Sequence, residues 1–289
     1  MKTNYEIQEF LDQDSETFSY VIFDKQTKKA IVIDPVLDFD YKSGRTSEEG
    51  VEKIANYIKK NELNLEWVLE THAHADHISG APFFKKVFGA KIGIGEHIKT
   101  VQKTFKTLFN LEKEFLPNGT QFDKLFKDGE IFHIGELTIR VMHTPGHTPA
   151  DLAYLIDESV VFVGDTIFMP DVGTARCDFP GGSSSQLFDS IKKVLALPDE
   201  TTIQVCHDYP NESRDYRHSV TVKEQKESNI HVNNSVIKEQ FIEMRETRDK
   251  TLSMPRLILP AIQLNVRAGN FPPADNNGVS YLKVPLNQL

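Results

Sequence analysis

The sequence is poor in cysteine, in long apolar runs and in excess positive charge. Its two cysteines, Cys177 and Cys206, provide no disulfide framework, which favours a reducing compartment. No apolar run approaches the length of a membrane span, and residues 1–6 lack the apolar core of a signal peptide. We therefore expect a cytoplasmic protein without a membrane partner. The formal net charge of −9 argues against a nucleic-acid partner, whose binding surface is normally basic.

The apolar pattern predicts a mixed α/β fold followed by a polar extension. A hydrophobic content of 39% with 19 phenylalanines is enough to bury a sizeable core. Predicted strands and helices interleave, but hairpin-like neighbours predominate, so two mixed sheets with outer helices fit better than one parallel sheet. Past Tyr209 the chain becomes polar and helix-prone. We expect a catalytic core over residues 1–210 and a C-terminal helical extension, residues 211–289, packed on it.

The most informative motif is the run Thr-His-Ala-His-Ala-Asp-His at residues 71–77. Four side chains that can bind a metal lie within six residues, directly after a strand-like segment, Leu65–Glu70. Imidazole and carboxylate suit Zn, Fe or Mn. The alternative is a solvated polar loop, but such a string should arise by chance in only about one in a thousand chains of this composition. The motif therefore predicts a metal site.

Further ligand-type residues end other predicted strands. They are His147, Asp165 and His207, with Tyr209 two residues later. Taken alone, each is more often a capped polar residue than a ligand. Cys206, beside His207, could be a thiolate ligand, but we favour a small buried residue because cysteine is among the most buried residue types.

Taken together in this order, these residues resemble the metallo-β-lactamase superfamily over roughly residues 15–210. The matching residues are His72, His74, Asp76, His77, His147, Asp165 and His207. The resemblance implies an α+β fold, an αββα sandwich of two mixed sheets with outer helices, and a metal at one edge. The other five histidines have no match. Among them we expect His143 to support the ligands.

Departures within the superfamily narrow the resemblance. The commonest β-lactamases carry cysteine at the position of Asp165, and flavodiiron proteins carry glutamate at the position of His74. Glyoxalase II thioesterases and persulfide dioxygenases remain. Residues 171–182 resemble the R-x-D-F-x-x-G stretch of persulfide dioxygenases, and residues 254–269 resemble a bacterial branch named β-lactamase-hydrolase-like. The resemblance favours the dioxygenase.

In such a dioxygenase the resemblance implies one Fe(II) per chain, bound by His72, His147 and Asp165. Two imidazoles and one carboxylate form the facial triad of non-haem iron oxygenases. The implied substrates are glutathione persulfide, or a related small persulfide, and O₂, with sulfite and glutathione as products.

Three further residues are assigned to the site as hypotheses. Asp178 and Arg176 would shape the surroundings of the ligands so that one iron is favoured, the alternative being an ordinary loop salt bridge. By resemblance, Tyr209 contacts the glutathione moiety. A buried tyrosine bonded to a backbone carbonyl is an equal alternative.

Two rival functions stay open. His74, Asp76, His77 and His207 could hold a second metal, as in a dinuclear zinc hydroxyacylglutathione hydrolase of the glyoxalase II type, where Asp165 would bridge the metals. The second rival is a non-catalytic sensor of sulfur metabolites. A homodimer is an option for the assembly.

Overall fold

The computed structural model describes residues 4–210 and 214–288. Within them the chain forms fifteen strands and seven helices. The strands are β1 (Tyr5–Asp12), β2 (Thr17–Asp24), β3 (Lys29–Ile33), β4 (Val36–Asp40), β5 (Arg45–Ser47), β6 (Asn64–Leu69), β7 (Ile78–Ser79), β8 (Lys91–Gly95), β9 (Lys124–Phe126), β10 (Ile131–Ile134), β11 (Leu137–His143), β12 (Leu152–Ile156), β13 (Val160–Phe162), β14 (Thr202–Gln204) and β15 (Ser219–Thr221). The helices are α1 (Glu49–Lys60), α2 (Ala81–Phe88), α3 (Ile98–Leu108), α4 (Ser184–Leu195), α5 (Val222–Ser228), α6 (Lys238–Asp249) and α7 (Ile258–Asn265).

Two six-stranded sheets form the centre of the fold. The first has the order β1-β2-β3-β6-β8-β9, and the second has the order β10-β11-β12-β13-β14-β15. Each contains antiparallel and parallel neighbours: β3 and β6 run parallel in the first, as do β13 and β14 in the second. The predicted pair of mixed sheets is therefore confirmed. A small third sheet, β5-β4-β7, lies beside the first.

The two sheets pack face to face through an apolar layer to which both contribute. The ring of Tyr20 on β2 meets that of Phe162 on β13 at 5.0 Å. Two buried hydroxyls also cross between the sheets, from Tyr20 to the Val205 carbonyl at 2.5 Å and from Tyr154 to the Glu70 carbonyl at 3.0 Å. These contacts fix how the strand ends of the two sheets lie beside each other.

Helices cover both outer faces. Apolar side chains of α1, α2, α3 and α7 pack on the first sheet, and those of α4, α5 and α6 pack on the second. The helices supply one apolar face each, as the 3.6-residue periodicity predicts. The arrangement is the expected αββα sandwich. None of the described helices is both long and apolar enough to span a membrane.

The segment after residue 210 is not helical throughout. Before its three helices it contributes β15, which pairs antiparallel with β14 and completes the second sheet. Only Val220 of this three-residue strand is buried, so the sequence offers no alternation to reveal it. The division of the chain at residue 210 stays a prediction.

Two element boundaries bear on this layout. Helix α1 begins at Glu49, since Ser47 ends β5, and the Ser47 hydroxyl accepts a hydrogen bond from the Glu49 amide at 3.2 Å. Strand β14 ends at Gln204. Beyond it the chain turns into the cluster of histidines described below.

The C-terminal segment is fixed to the first layer by an ion pair. Arg267 donates two hydrogen bonds to the carboxylate of Glu112, at 2.5 and 2.7 Å, and its guanidinium lies 4.6 Å from the Phe115 ring centre. The hydrogen bonds from Arg267 hold the pKa of Glu112 below its usual range. A carboxyl group with a lowered pKa in the folded state stabilises the fold above its ordinary pKa and loses that contribution as the pH falls.

We predict that Glu112→Gln lowers the free energy of unfolding by about 1 kcal/mol at pH 7, because a charged hydrogen-bonded pair becomes a neutral one. The difference from wild type should shrink as the pH falls through the ordinary glutamate range and below, where wild-type Glu112 is also protonated. Denaturant unfolding at several pH values measures this. The control is Glu114→Gln, since Glu114 is exposed. A pH-independent difference would contradict the prediction.

Candidate metal centre

The seven ligand-type residues of the sequence converge on one edge of the sandwich. Each stands where a central strand ends or where two strands are joined. His72, His74, Asp76 and His77 follow β6, His147 lies between β11 and β12, Asp165 follows β13, and His207 follows β14. Because the two sheets present these ends side by side, Asp76 and His207, which are 131 positions apart in the chain, become neighbours.

The side chains form two adjacent groups. One group is His72, His147 and Asp165, all buried, with one ligand atom from each lying within 4.8 Å of the others. The second group is His74, Asp76 and His77, and one ligand atom from each also lies within 4.8 Å of the others. These are the residues that the sequence assigned to the site, and the structure brings them together.

Asp165 and His207 connect the two groups. Asp165 Oδ2 lies 3.6 Å from His147 Nε2, and Asp165 Oδ1 lies 3.3 Å from His207 Nε2. His207 Nε2 also lies 3.3 Å from Asp76 Oδ2. The Asp165 carboxylate therefore faces His147 of the first group with one oxygen and His207, which adjoins the second group through Asp76, with the other.

The cluster contains buried polar atoms that the protein leaves without a hydrogen-bond partner. Of nine such side-chain atoms in the described residues, five belong to this cluster. They are His72 Nε2, His74 Nδ1, His77 Nε2, His207 Nε2 and Asp165 Oδ1. Leaving a buried donor or acceptor unpaired costs about 1–3 kcal/mol, so five together require an external partner. A bound cation is the partner that this donor set fits.

The second ring nitrogen of each histidine in the first group is held by the protein. His147 Nδ1 donates to the Arg176 carbonyl at 2.8 Å. His72 Nδ1 donates to Thr71 Oγ1 at 3.0 Å, and that hydroxyl donates to Asp34 Oδ2 at 2.8 Å. With Nδ1 protonated, each neutral ring presents Nε2 as the free electron pair that a metal needs.

Asp34, at the end of β3, is the support that the sequence did not reveal. Its buried carboxylate accepts from the Thr71 amide at 2.7 Å, from the Thr71 hydroxyl and from His74 Nε2 at 3.0 Å. Burial alone would raise the pKa of Asp34, but His74 and Thr71 hold it below its usual range. The only signal in the sequence is an aspartate followed by Pro35 where a strand ends.

His143 does not support the ligands, contrary to the expectation. Its Nε2 donates to the Pro149 carbonyl at 3.0 Å, and its ring stacks on His97 at 4.3 Å. The support comes instead from residues of other types, Asp34 and Thr71 among them. Cys206 is buried, and burial raises the pKa of its thiol well above the usual value, which fits the small buried residue favoured above.

The C-terminal segment holds the metal-binding loop. Asn265 at the end of α7 is buried, and its amide donates to the carbonyls of His74 and His77, both at 2.8 Å. Its oxygen accepts from the Ser79 amide at 2.9 Å. Three of the hydrogen bonds available to this side chain thus fix residues 74–79.

A pocket of about 400 Å³ opens onto the cluster. Asp76, His147 and Asp165 reach it, and Phe168, Phe179 and Tyr209 form aromatic walls. Charged side chains line the remainder, namely Arg176, Arg245, Arg248, Arg256, Asp14 and Glu16. The volume is typical of sites for small molecules. Sequence reasoning missed the arginines of residues 245–256, because nothing local predicts that α6 and its following loop reach this edge.

Arg176, Asp178 and Tyr209, the three further residues assigned to the site, take different positions. The Tyr209 ring stacks on His207 at 5.8 Å and is 41% exposed, so it is not a fully buried tyrosine. Arg176 lines the pocket and makes two hydrogen bonds to Asp178, at 2.6 and 2.7 Å. Asp178 is exposed, and it reaches the ligands only through Arg176.

Comparison with known proteins gives concordant matches. The profile of the metallo-beta-lactamase superfamily matches residues 13–207. Glyoxylase B2 of Dictyostelium discoideum is 52% identical over 100% of this chain and 99% of its own length. A beta-lactamase hydrolase-like protein of Xylella fastidiosa is 47% identical over 97% of this chain and 64% of its own. Persulfide dioxygenase ETHE1, mitochondrial, of Bos taurus is 26% identical over 91% and 88%.

A solved structure shares the fold. The crystal structure of ETHE1 from Myxococcus xanthus superposes with a TM-score of 0.72 and 29% identity, covering 92% of this chain and 100% of that one. The resemblance seen in the sequence motifs is confirmed.

We predict that Asp34→Asn weakens metal binding by about 10- to 100-fold, the usual effect of removing a supporting carboxylate. Asparagine keeps one accepting oxygen where aspartate has two. It cannot replace both Oδ1, which accepts from the Thr71 amide and His74, and Oδ2, which accepts from the Thr71 hydroxyl that orients His72. Competition between the protein and a chelator for Zn²⁺ measures the affinity. Asp40→Asn is the control, because Asp40 accepts local hydrogen bonds from Lys42 and Ser43 in an exposed turn. Equal affinities for both variants would refute a supporting role for Asp34.

Proposed function

The chain belongs to the metallo-beta-lactamase superfamily, and from this premise we propose that it is a persulfide dioxygenase with one Fe(II) per chain. The observation that carries the proposal is the buried group His72, His147 and Asp165 beside a pocket of about 400 Å³. Two imidazoles and one carboxylate are the ligands of non-haem Fe(II) oxygenases. Bound iron would supply the redox chemistry that side chains lack.

The proposed reaction converts glutathione persulfide, O₂ and water into glutathione and sulfite. The outer sulfur gains three oxygen atoms, two from O₂ and one from water, and the sulfur–sulfur bond breaks, with two protons released. The protein's task is to bind the persulfide with its outer sulfur toward His147 and Asp165 and to hold it there.

The pocket suits a thiol that carries carboxylates. Arginines line its walls, and Arg248 is exposed at the rim without an ion pair among the described residues. Guanidinium groups pair with carboxylates in a bidentate manner, and glutathione carries two carboxylates. Tyr209, exposed beside His207, offers a ring surface and a hydroxyl to the same ligand. A relative named persulfide dioxygenase agrees with this assignment.

The second candidate is a dinuclear zinc thioester hydrolase. It is favoured by the unpaired atoms of His74, His77 and His207, which a second cation would satisfy. The Dictyostelium relative named glyoxylase B2 agrees with this reading. In such an enzyme Asp165, which faces both groups, would bridge the two metals.

We predict that the protein purified without oxygen carries one iron per chain. It should consume O₂ with glutathione persulfide much faster than it hydrolyses S-lactoylglutathione. Metal analysis and an oxygen electrode measure the first two quantities, and absorbance of the thioester measures the third. His147→Ala is the inactive control because it removes one proposed ligand. Two zinc ions per chain with fast thioester cleavage would establish the hydrolase, and metal binding without either activity would favour the sensor.

We predict that Asp178→Asn lowers the bound iron below one per chain, with a metal affinity about 10- to 100-fold weaker. The carboxylate holds the Arg176 guanidinium, and the Arg176 carbonyl in turn orients His147. Metal analysis after dialysis gives the content. Glu158→Gln is a matched control, because Glu158 forms a comparable two-bond pair with Arg140 outside the site. An unchanged single iron would remove Asp178 from the site and leave it a loop salt bridge.

A further inference from the structure

A second, much smaller cavity lies behind His147, on the side of the first sheet. Val101 and Phe105 of α3 and Ile258 and Ile262 of α7 form its walls, together with Ala73. The volume of this cavity is about 10 Å³. That is close to the smallest space that holds one water or one diatomic gas molecule.

The polar side chains of the cavity offer a water molecule few partners. Thr148 bonds to the protein, and His147 keeps only Nε2 free, which lies 3.6 Å from Asp165 Oδ2 in the metal cluster. Thr148 Oγ1 donates to Asp151 at 2.8 Å and accepts from the Ala150 amide at 3.2 Å. His147 Nδ1 donates to the Arg176 carbonyl. A buried water needs two to four polar partners, and an apolar cavity without them stays dry and takes up apolar molecules.

The lining of the cavity includes both surface residues and residues of the metal pocket. Pro149 is partly exposed and Pro180 is exposed. Ala75, His147 and Phe179 line the large pocket as well. The Phe179 ring stands edge-on to the His147 ring at 5.1 Å.

We propose that this cavity binds dioxygen and delivers it to the face of the metal cluster at His147, by a route separate from the pocket that takes the thiol. The inference rests on the proposed function, since a hydrolase has no use for dioxygen. The physical basis is the partition of O₂ between water and an apolar space. O₂ is small, uncharged and without strong hydrogen bonds, so an apolar space holds it better than water does.

The two spaces differ as their ligands do. The large pocket carries arginines and an open mouth, which suit a charged thiol, whereas the small cavity admits no charged group without desolvating it. When the thiol fills the large pocket, the apolar route remains open. Since His147 lines both spaces, both reactants can reach this side chain.

The cavity is tested first without turnover, with dioxygen itself as the probe. Because O₂ is paramagnetic, it speeds the relaxation of nearby methyl protons. In zinc-loaded, methyl-labelled protein, the methyl groups of Ile258 and Ile262 should relax severalfold faster under O₂ than under N₂. The reference methyl groups are those of Ile191 and Val194, which are also buried, against the second sheet. Equal enhancement at both sets overturns the proposal.

The route is then tested by filling it with Val101→Phe. The enhancement at Ile262 should disappear, and KM for O₂ should rise severalfold, while KM for the persulfide and kcat at saturating O₂ stay unchanged. Val87→Phe, the same substitution at an exposed position on α2, should change none of these. If Val101→Phe does not fold, as judged by circular dichroism and thermal melting, Ile262→Phe fills the same space from α7. An unchanged KM for O₂ in a folded, filled variant overturns the delivery route.

The outcomes separate this inference from the proposed function. Persulfide-dependent O₂ uptake without local methyl relaxation would uphold the dioxygenase and overturn the cavity. Local relaxation in a protein that consumes no O₂ would support the binding site and overturn the dioxygenase.

Discussion

The carboxylate of Asp34 is the interaction on which the metal cluster depends. This carboxylate is buried at the end of β3. It accepts hydrogen bonds from the amide and the hydroxyl of Thr71, which follows β6, and from His74. Because Thr71 in turn receives His72 Nδ1, one acceptor fixes two histidines. Its backbone has a positive φ of 47°, a conformation that costs about 1 kcal/mol or more for a side chain of this kind and persists only where the surroundings enforce it.

The loop that carries the motif is held from two sides. Asp34 fixes its start at residues 71–74, and Asn265 of α7 fixes its end at residues 74–79. The helix that carries Asn265 is itself fixed by apolar packing on the first sheet and by the pair of Arg267 with Glu112. The C-terminal segment therefore contributes to the geometry of the metal cluster although it carries none of its ligands. Helix α6 and the loop after it also supply arginines to the pocket.

The sequence predicts the central elements and the ligand set because both are local patterns. These local patterns can be recognised in the sequence without knowledge of the tertiary structure: strand alternation, helical periodicity and the spacing from His72 to His77. What it does not predict are partners far apart in the chain, such as Asp34 with His74 or Asn265 with His77. A single aspartate at a strand end and a single asparagine in an apolar helix have no local signature. The pocket arginines of residues 245–256 and strand β15 were missed for the same reason, since only the folded structure shows what they contact.

Whether the site binds one metal ion or two depends on what satisfies the buried ring nitrogens of His74, His77 and His207. A cation on His72, His147 and Asp165 leaves the free nitrogens of His74, His77 and His207 buried and without protein partners. Only Asp76 of the second group is appreciably exposed, so water or protons must enter beside it when no second cation is bound. Arg176 and Asp178, which the proposed function assigns to the site, make no hydrogen bond to these nitrogens. Their link to the cluster is the Arg176 backbone carbonyl, which accepts from His147 Nδ1, so under the proposed function a preference for a single iron would arise from a firmer first group.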